Sequence, residues 1–360
     1  PTGKAAKRIQ EATGVPAMTI HRLLEYPHPG EMNPKTGRPY NTTDPTRDRL
    51  NPIESRVVLC DEYAMVNTEV HRNLLDALPS GGLIRMFGDA NQLPPIEMNK
   101  KLQGKPSPFV TMLNDFSGIR LTKIHRQAEG SNIIQNGNRI IQGIMPRRAD
   151  DFAIKITDTP IDVVTEIVAD GLEGNTDFGK LSYQLIAPTK QGWVGTIALN
   201  TLIQSMMHPS TKPVMAIERH ELSKQDEQRI YIGDKVIFTV NNYGLDVFNG
   251  ETGIVTEFDP ASGIVIDFGD KVVTIPTRQE VNSNHGTYYV NPQRDIDLAY
   301  VITTHKAQGS EYERVVYIMN RSRAWGLSRK NLYTGISRAR KHVTVVTDQK
   351  GLSMSLWKKE

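Results

Sequence analysis

The 360-residue sequence has little of several features that would narrow its function, and each scarcity excludes a class of protein. It contains one cysteine, Cys60, so disulfides within the chain are impossible and a reducing compartment is expected. No apolar run approaches the roughly 20 residues of a membrane-spanning helix, and no signal-peptide pattern opens the sequence. A soluble, cytoplasmic protein is therefore expected. The net charge of +3 permits nucleic-acid binding through local patches without arguing for it.

A complete phosphate-binding P-loop is also missing from the sequence. That motif reads GxxxxGK followed by Ser or Thr, because its backbone N–H groups wrap the phosphates and its hydroxyl holds Mg²⁺. In the opening stretch PTGKAAKR, Ala5 follows the Gly-Lys pair, and in GNTDFGK at 174–180 the next residue is Leu181. We interpret the second match as an ordinary surface turn, because a P-loop must lead into a helix N-terminus. Nucleotide chemistry must therefore be sought in other motifs.

Helix-like and strand-like stretches alternate in the first third of the chain, which predicts a parallel sheet with crossover helices. The predicted elements there are strands at 57–60 and 83–87 and helices at 5–12 and 69–78. A second alternating region starts near Tyr183, resumes at LAYVITTHKAQG and closes on HVTVVT. Between its halves, at 233–276, short β-branched runs separated by NG and SG turns predict a small antiparallel barrel or meander.

The predicted fold is α/β, with two parallel-sheet domains and a β insertion in the second. The expected boundaries are 1–150 for the first domain, 151–180 for a linker, 181–230 with 290–360 for the second domain, and 231–289 for the insertion. Residues 26–52 lose all periodicity among prolines, glycines and asparagines. They are predicted to form an irregular excursion or a projecting hairpin.

Carboxylates follow both predicted strands of the first domain. Asp61 and Glu62 end the strand in VVLCDEYAM, and open α/β sheets bind ligands at the carboxyl ends of their strands. Asp61 can hold the water shell of Mg²⁺ while Glu62 orients and deprotonates an attacking water; alternatively, the pair is merely solvated at the sheet rim. The next strand, in LIRMFGDANQLPPIE, ends at Asp89, and Gln92 could sense a terminal phosphate by hydrogen bonding. Two such strand ends favour a nucleotide site.

Two later stretches carry arginines. IRLTKIHRQ contains Arg126, and NLYTGISRARKHV contains Arg338 and Arg340, which are expected on a helix. The planar guanidinium group suits the spreading charge of a phosphoryl-transfer transition state. In an alternative interpretation, Lys330, Arg338, Arg340 and Lys341 form a patch that follows the phosphates of a nucleic acid.

The sequence resembles superfamily 1 helicases of the 5′-to-3′ RecD-like and Dda-like branch in eight stretches that keep the family's order. They are PTGKAAKR, TIHRLL, VVLCDE, GDANQLPP, the IHRQ stretch, IAPTKQGWVGTIALN, TTHKAQGSEY and YTGISRARKHV. The resemblance implies two RecA-like motor domains with an SH3-like barrel in the second, and ATP and Mg²⁺ as cofactors. PTGKAAKR resembles motif Ia, which in the family follows the P-loop. The resemblance therefore implies a family member without its N-terminal P-loop segment.

The resemblance also implies roles for individual residues. At the nucleotide these are Asp61 as the Mg²⁺-associated carboxylate, Glu62 as the catalytic base, Gln92 as the γ-phosphate sensor, Asp89 as the link from that sensor to DNA, Arg126 and Arg338 as arginines that close on the triphosphate, and Gly309 and Glu311 beside the nucleotide. The implied single-strand contacts are Thr2, Gly3, Lys4, Thr19, His21, Thr189, Lys190, Thr304, His305 and Lys306. Most of these groups suit backbone contact, so little base specificity is expected.

The expected function is that of an ATP-dependent DNA helicase that steps 5′ to 3′ along single-stranded DNA as ATP is hydrolysed between its two motor domains. Expected partners are single-stranded and forked duplex DNA, replication or repair proteins, and a segment or chain that supplies the P-loop; no membrane is expected. Residues 26–52 lie where relatives carry a strand-separating pin, although their composition equally suits a flexible loop. Two alternatives stay open: an ATPase-inactive single-strand-binding fragment, and one half of a split helicase. Without a P-loop, the chain itself is expected to be inactive as an ATPase.

Overall fold

The computed structural model describes residues 1–27, 44–116, 118–121, 130–217, 228–283 and 286–358. The chain divides into two compact units, the first being Pro1–Leu121 with Arg278–Asn291 and the second Thr122–Thr277 with Pro292–Glu360. Most of the predicted pin or loop, 28–43, lies outside the described residues, so its form stays a prediction. In the part of the chain just defined, no helix combines the length and apolarity needed to cross a bilayer.

The elements alternate as the sequence pattern predicts. The helices are α1 (Gly3–Thr13), α2 (Ile20–Leu23), α3 (Thr68–Asp76), α4 (Pro108–Asp115), α5 (Asn132–Ile141), α6 (Pro160–Leu172), α7 (Thr196–Met207), α8 (Thr304–Ala307), α9 (Arg329–Ile336) and α10 (Gln349–Trp357). The strands are β1 (Val57–Cys60), β2 (Leu83–Met86), β3 (Phe152–Ile156), β4 (Tyr183–Ala187), β5 (Met215–Ile217), β6 (Gln228–Ile230), β7 (Lys235–Phe238), β8 (Thr252–Asp259), β9 (Gly263–Asp267), β10 (Val272–Ile275), β11 (Gln279–Ser283), β12 (Gly286–Val290), β13 (Ile296–Leu298), β14 (Val301–Thr303), β15 (Tyr312–Ile318) and β16 (Ala339–Thr347). Short 3-10 helices lie at Tyr63–Met65, Pro292–Asp295 and Arg321–Gly326.

The first unit contains a parallel pair of strands. β1 pairs with β2 in parallel, and the crossover between them runs through α3, as predicted. Val58 and Cys60 point into a core with Leu74 and Phe109. Burial raises the pKa of the Cys60 thiol to about 11, so this cysteine is protonated and serves as a small apolar side chain.

The other face of this strand pair is exposed. Val57, Leu59 and Leu83 are 55, 66 and 53% accessible, although each alternates with a buried or half-buried residue. The alternation follows from the two-residue period of a strand, which puts successive side chains on opposite faces. This face of the strand pair therefore carries exposed apolar side chains.

The second unit is built on a five-stranded parallel sheet in the order β14-β4-β15-β16-β3. Apolar residues fill both of its faces, with Leu185 and Val316 in one core cluster and Ile186 and Tyr317 in another. This two-sided burial is typical of parallel sheets and accounts for the continuous apolar runs in β4 and β15.

Two segments join this unit that the sequence pattern had placed elsewhere. β3 and α6 lie within 151–180, the expected linker, yet β3 forms the edge strand of the sheet beside β16. Ile133 and Ile140 of α5 lie in the core of the second unit, although residues 1–150 had been assigned to the first domain. The second match to the P-loop pattern, at 174–180, is a surface turn as interpreted. Lys180 Nζ pairs there with Asp177 Oδ1 at 2.6 Å, and the strand β4 follows at Tyr183 in place of a helix.

The predicted β insertion is an antiparallel sheet in the order β10-β9-β8-β7-β13. The turn at Asn249-Gly250 precedes β8, and Gly250 adopts a φ of 91°, which a side chain would disfavour. Ile264, Ile266 and Ile275 are fully buried in its interior. β11 and β12 form a separate antiparallel hairpin.

A buried carboxylate immediately before β7 joins the insertion to α7. Asp234 is fully buried and accepts hydrogen bonds from Tyr300 Oη at 2.7 Å, Gln204 Nε2 at 2.6 Å and Tyr231 N at 2.9 Å. His208 Nε2 lies 3.0 Å from its Oδ1. Burial raises the pKa of Asp234, and these hydrogen bonds oppose the rise.

The next residue, Lys235, is also buried. Its Nζ donates to the carbonyl oxygens of Tyr183 at 2.7 Å and Lys180 at 3.2 Å, which ties the insertion to the entry of β4. Burial lowers the pKa of Lys235 to about 7. A buried ammonium without a carboxylate partner is costly, and the neutral amine keeps two N–H groups for the two carbonyls.

Candidate functional site

The predicted catalytic carboxylates lie in a tight turn at the carboxyl end of β1. Glu62 has φ 51° and ψ 37°, a left-handed backbone that is uncommon outside glycine. Asp61 Oδ1 accepts the Glu62 N–H at 2.8 Å, and Tyr63 N donates to Phe87 O at 2.7 Å. Such strain costs on the order of 1–3 kcal/mol and persists only when neighbouring contacts impose it. Here the hydrogen bond to Phe87, directly after β2, holds the turn at the carboxyl end of the strand pair.

Gly88 brings the two strand ends together. A Cβ at this position would lie 3.0 Å from the backbone N of Ala64, which is tighter than ordinary contact. The residue after β2 must therefore be small for the 62–64 turn to sit against it. Asp89 and Gln92 lie on the loop that follows β2, and Asp61 and Glu62 follow β1, its parallel neighbour.

Gln92 has an unusual environment. Its backbone N donates to Asp89 O at 3.1 Å, and Asp89 Oδ1 accepts the Asn91 N–H at 2.9 Å, so the loop has a fixed turn. The Gln92 side chain is only 7% exposed, and its Oε1 is buried without a hydrogen-bond partner within the described residues. Buried amide oxygens usually accept a hydrogen bond, so the Gln92 side chain is buried although its oxygen lacks this hydrogen bond.

The amino end of α1 lies near the same carboxylates. Thr2 caps the helix, its Oγ1 accepting Ala5 N at 3.2 Å. Pro1, which precedes this helix, lies close to Glu62 and Asp61. His21 also lies near Pro1. The start of α1, His21 and the carboxylate pair therefore share one region of the first unit.

The single-strand contacts implied for the first unit differ in accessibility. Gly3 is buried, and Thr19 is 2% exposed with its Oγ1 capping α2 through Arg22 N at 3.2 Å. Lys4 is half-buried and His21 is exposed. Lys4 and His21 thus have accessible side chains, whereas the Thr19 side chain caps α2.

In the second unit, two implied single-strand motifs lie at one sheet edge. Thr189 and Lys190 follow β4, and Thr304 begins the helix after β14, which is the neighbouring parallel strand. Lys190 is exposed, but Thr189 is 3% exposed and donates through Oγ1 to Gln191 O at 3.1 Å. Thr304 is fully buried. Both threonine side chains are therefore buried within the loops and contribute to loop structure.

Lys306 is held by an ion pair that sequence motifs did not indicate. Its Nζ lies 2.8 Å from Asp297 Oδ2, and both side chains are partly exposed. His305, beside it, is half-buried. Asp297 belongs to β13 in the insertion sheet, so the pair connects that sheet with the α8 motif.

The expectation that Arg338 and Arg340 lie on a helix was wrong. α9 ends at Ile336, and Arg340 is already in β16, because the β-branched run HVTVVT pairs with β15. Arg338 is fully buried; its Nε donates to Thr334 O at 3.1 Å and its Nη2 to Ser337 Oγ at 3.2 Å. A surface patch at this position therefore cannot include Arg338.

The remaining implied nucleotide residues are only partly covered by the structure. Gly309 is buried with a φ of 74°, a conformation that favours glycine, and Glu311 is half-buried. Arg126 lies outside the described residues. Among the residues that are described, no three His, Cys, Asp or Glu side chains cluster closely enough to hold a metal ion directly.

Three family profiles match the chain in order. They are the AAA domain over residues 1–97, the SH3 domain of ATP-dependent RecD-like DNA helicases over 199–268, and the UvrD-like helicase C-terminal domain over 298–346. The ATP-dependent RecD2 DNA helicase of Deinococcus radiodurans is 29% identical over 340 residues, which cover 94% of this chain and 41% of that protein. The RecD subunit of the RecBCD enzyme of Mycolicibacterium smegmatis is 24% identical over 380 residues, or 96% of this chain and 60% of that protein.

This chain belongs to the RecD-like helicases of superfamily 1. It spans between about two fifths and three fifths of the length of these two relatives. Its fold is similar to that of the Pif1 helicase from Bacteroides in complex with ADP-AlF3 and ssDNA, with a TM-score of 0.57 and 20% identity over 97% of this chain and 81% of that one. Pif1 from Candida albicans gives a TM-score of 0.56 and 17% identity over 98% of this chain and 84% of that one. The predicted family and fold class are confirmed.

Proposed function

We propose that this RecD-like chain forms the motor part of an ATP-dependent DNA helicase that moves 5′ to 3′ along single-stranded DNA and opens forked duplexes. The observation that carries the proposal is the parallel pairing of β1 and β2, because Asp61 and Glu62 directly follow β1 and Gln92 lies on the loop after β2. The names of the relatives, which include an ATP-dependent DNA helicase, support the same activity.

Asp61 fits Mg²⁺ that keeps most of its water shell. Its carboxylate is exposed at the strand end, where one oxygen is occupied by the Glu62 N–H. Mg²⁺ on a nucleotide commonly binds only one or two protein carboxylates, so a single strand-end carboxylate is sufficient. When bound, the ion would neutralise charge on the phosphates.

Glu62 is the proposed general base and Gln92 the proposed phosphate sensor. The turn after β1 holds the Glu62 backbone in one conformation, which limits the positions of its carboxylate. Gln92 Oε1 has no hydrogen-bond partner in the described structure, so it can accept a hydrogen bond from a water, while the amide N–H groups are the donors that a phosphate oxygen requires.

Single-strand binding is proposed to use phosphate contacts from the exposed or half-buried basic groups. These are Lys4 and His21 in the first unit and Lys190, His305 and Lys306 in the second. Phosphate contacts carry no sequence information, which suits a motor that must move over any sequence.

Two measurements test this function. A protein in which a P-loop segment is joined ahead of residue 1 is given duplexes with a 5′ or a 3′ single-stranded tail. ATP-dependent unwinding of the 5′-tailed duplex is expected, and unwinding confined to the 3′-tailed duplex would reverse the proposed direction.

The second measurement uses residues 1–360 alone. We expect single-stranded DNA binding that weakens as salt rises, with a logarithmic slope of about 0.7 per phosphate contacted. We expect no DNA-stimulated ATP hydrolysis, because these residues contain no cradle for the β- and γ-phosphates. Absence of single-strand binding at low salt would contradict the proposed function.

A further inference from the structure

The three tryptophans of the chain are unusually accessible. Trp193, Trp325 and Trp357 are 42, 67 and 85% exposed, although indole rings are usually largely buried. Trp193 lies on the loop that follows β4, and Trp325 on the segment that follows β15. Because β4 and β15 are neighbouring parallel strands, both loops leave the sheet at the same edge.

The two loops pack against each other. A Cβ at Gly192 would lie 2.5 Å from Arg323 Nε, and a Cβ at Gly326 would lie 2.5 Å from Thr189 Cγ2. Each of these glycines is the chain neighbour of a tryptophan. Trp193 and Trp325 therefore lie on two loops that contact each other at this edge.

Hydrogen bonds fix the backbone beneath both rings. In the first loop, Thr196 N donates to Thr189 O at 3.0 Å and Ile197 N donates to Lys190 O at 3.1 Å. In the second, Lys358 Nζ donates to Trp325 O at 2.9 Å. A backbone held in this way loses little conformational freedom on binding, so the loops suit a binding surface.

Basic groups accompany the rings. Lys190 is exposed three residues before Trp193, and Arg323 is half-buried two residues before Trp325. Exposed aromatic rings interleaved with cations are typical of surfaces that bind single-stranded nucleic acid, where bases stack on the rings and the cations follow the phosphates. Lys190 was already predicted to contact the strand, whereas the tryptophans were not.

We propose that Trp193 and Trp325 stack on nucleobases of single-stranded DNA held at this edge of the second unit. The proposal rests on the single-strand binding in the proposed function and adds contacts to the bases. Every base offers an aromatic face, so stacking tolerates any sequence and is compatible with translocation.

The test compares two oligomers of equal length, oligo-dT and an abasic strand that keeps only the sugar-phosphate backbone. The variants are Trp193→Ala, Trp325→Ala and the matched control Trp357→Ala, which removes the most exposed tryptophan from the end of α10. Circular dichroism verifies their folding. Trp193→Ala and Trp325→Ala should each bind oligo-dT about 5- to 150-fold more weakly than wild type, with unchanged affinity for the abasic strand. Trp357→Ala should match wild type on both strands.

Lys190→Ala separates this proposal from the proposed function. It should weaken binding to both oligomers, because a phosphate contact does not require a base. If the wild-type chain binds neither oligomer, the proposed single-strand function fails. If it binds oligo-dT but Trp193→Ala and Trp325→Ala behave like Trp357→Ala, the stacking proposal is overturned while single-strand binding stands.

Discussion

Lys306 Nζ lies 2.8 Å from Asp297 Oδ2, so a lysine implied to bind the DNA backbone is paired with a carboxylate of its own unit. The side chains are 23 and 32% exposed, which leaves the pair open to an incoming phosphate. A phosphate and a carboxylate would compete for the same ammonium group. We therefore expect the pair to weaken the proposed single-strand binding at Lys306.

Replacing Asp297 with Asn should strengthen single-strand binding. The substitution keeps the size of the side chain and releases Lys306 from its ionic partner, so a several-fold gain in affinity at low salt is expected, with a steeper salt dependence by up to about 0.7 in logarithmic slope. Titrations of residues 1–360 with oligo-dT at two salt concentrations measure both quantities. Glu257→Gln, which makes the same charge change at an exposed position of β8, is the control. An equal gain in both variants would show that net charge, and not this pair, sets the affinity.

Replacing Glu62 with Gln should abolish ATP hydrolysis and leave nucleotide binding largely intact. The amide keeps the shape of the side chain but cannot take a proton from water. Steady-state turnover and nucleotide binding are measured in the protein with a P-loop segment ahead of residue 1. Glu69→Gln, at an exposed site in the first turn of α3, should hydrolyse ATP normally. Turnover of Glu62→Gln within a few-fold of wild type would remove Glu62 as the base.

Two replacements of Arg338 should distinguish a role in stability from a role in ATP hydrolysis. Arg338→Ala is expected to lower the free energy of unfolding by about 1–3 kcal/mol, since it removes a buried side chain bonded to Thr334 and Ser337. If Arg338 also reaches the triphosphate, Arg338→Lys should slow hydrolysis by roughly 10³-fold or more in the P-loop-bearing protein. Thermal melting and turnover are measured together, with exposed Arg340→Ala as the control. Arg338→Lys with normal turnover would leave this arginine a purely structural residue.

Local patterns were sufficient to predict the first strand ends. A short apolar run followed by Asp61-Glu62, and another followed by Asp89, indicated β1, β2 and their shared edge, because chain-local periodicity decides such elements. The antiparallel insertion was predictable for the same reason, since NG and SG turns separate its β-branched runs.

Features set by distant pairing were not predictable. Arg338 falls outside a helix because residues beyond it pair with β15, and β3 becomes an edge strand only through its pairing with β16. The Lys306–Asp297 pair joins two different elements and has no local motif. In each case tertiary contacts override the local preference.

Lys235 should make the stability of the second unit depend on pH. In the folded chain its pKa is lowered to about 7 by burial, whereas an unfolded lysine titrates near 10.4. Between these values the unfolded chain binds the proton that the folded chain lacks, so the free energy of unfolding rises with pH, by at most about 1.4 kcal/mol per unit. The rise in the free energy of unfolding caused by Lys235 has barely begun below pH 7 and is complete above about pH 10.4.

The measurement is urea unfolding at pH 7.5, 8.5 and 9.5 for wild type and Lys235→Met, which keeps much of the side-chain volume and removes the titrating group. Other ionisable groups contribute equally to both proteins, so the difference between their unfolding free energies isolates Lys235. That difference should grow with pH in favour of wild type, because the neutral amine keeps its hydrogen bonds to the Tyr183 and Lys180 carbonyls without the cost of a buried charge. Lys341→Met, at an exposed lysine of β16, should give a profile parallel to wild type. Parallel profiles for wild type and Lys235→Met would instead mean that Lys235 keeps the same charge in both states, with water or a rearranged neighbour solvating its ammonium group.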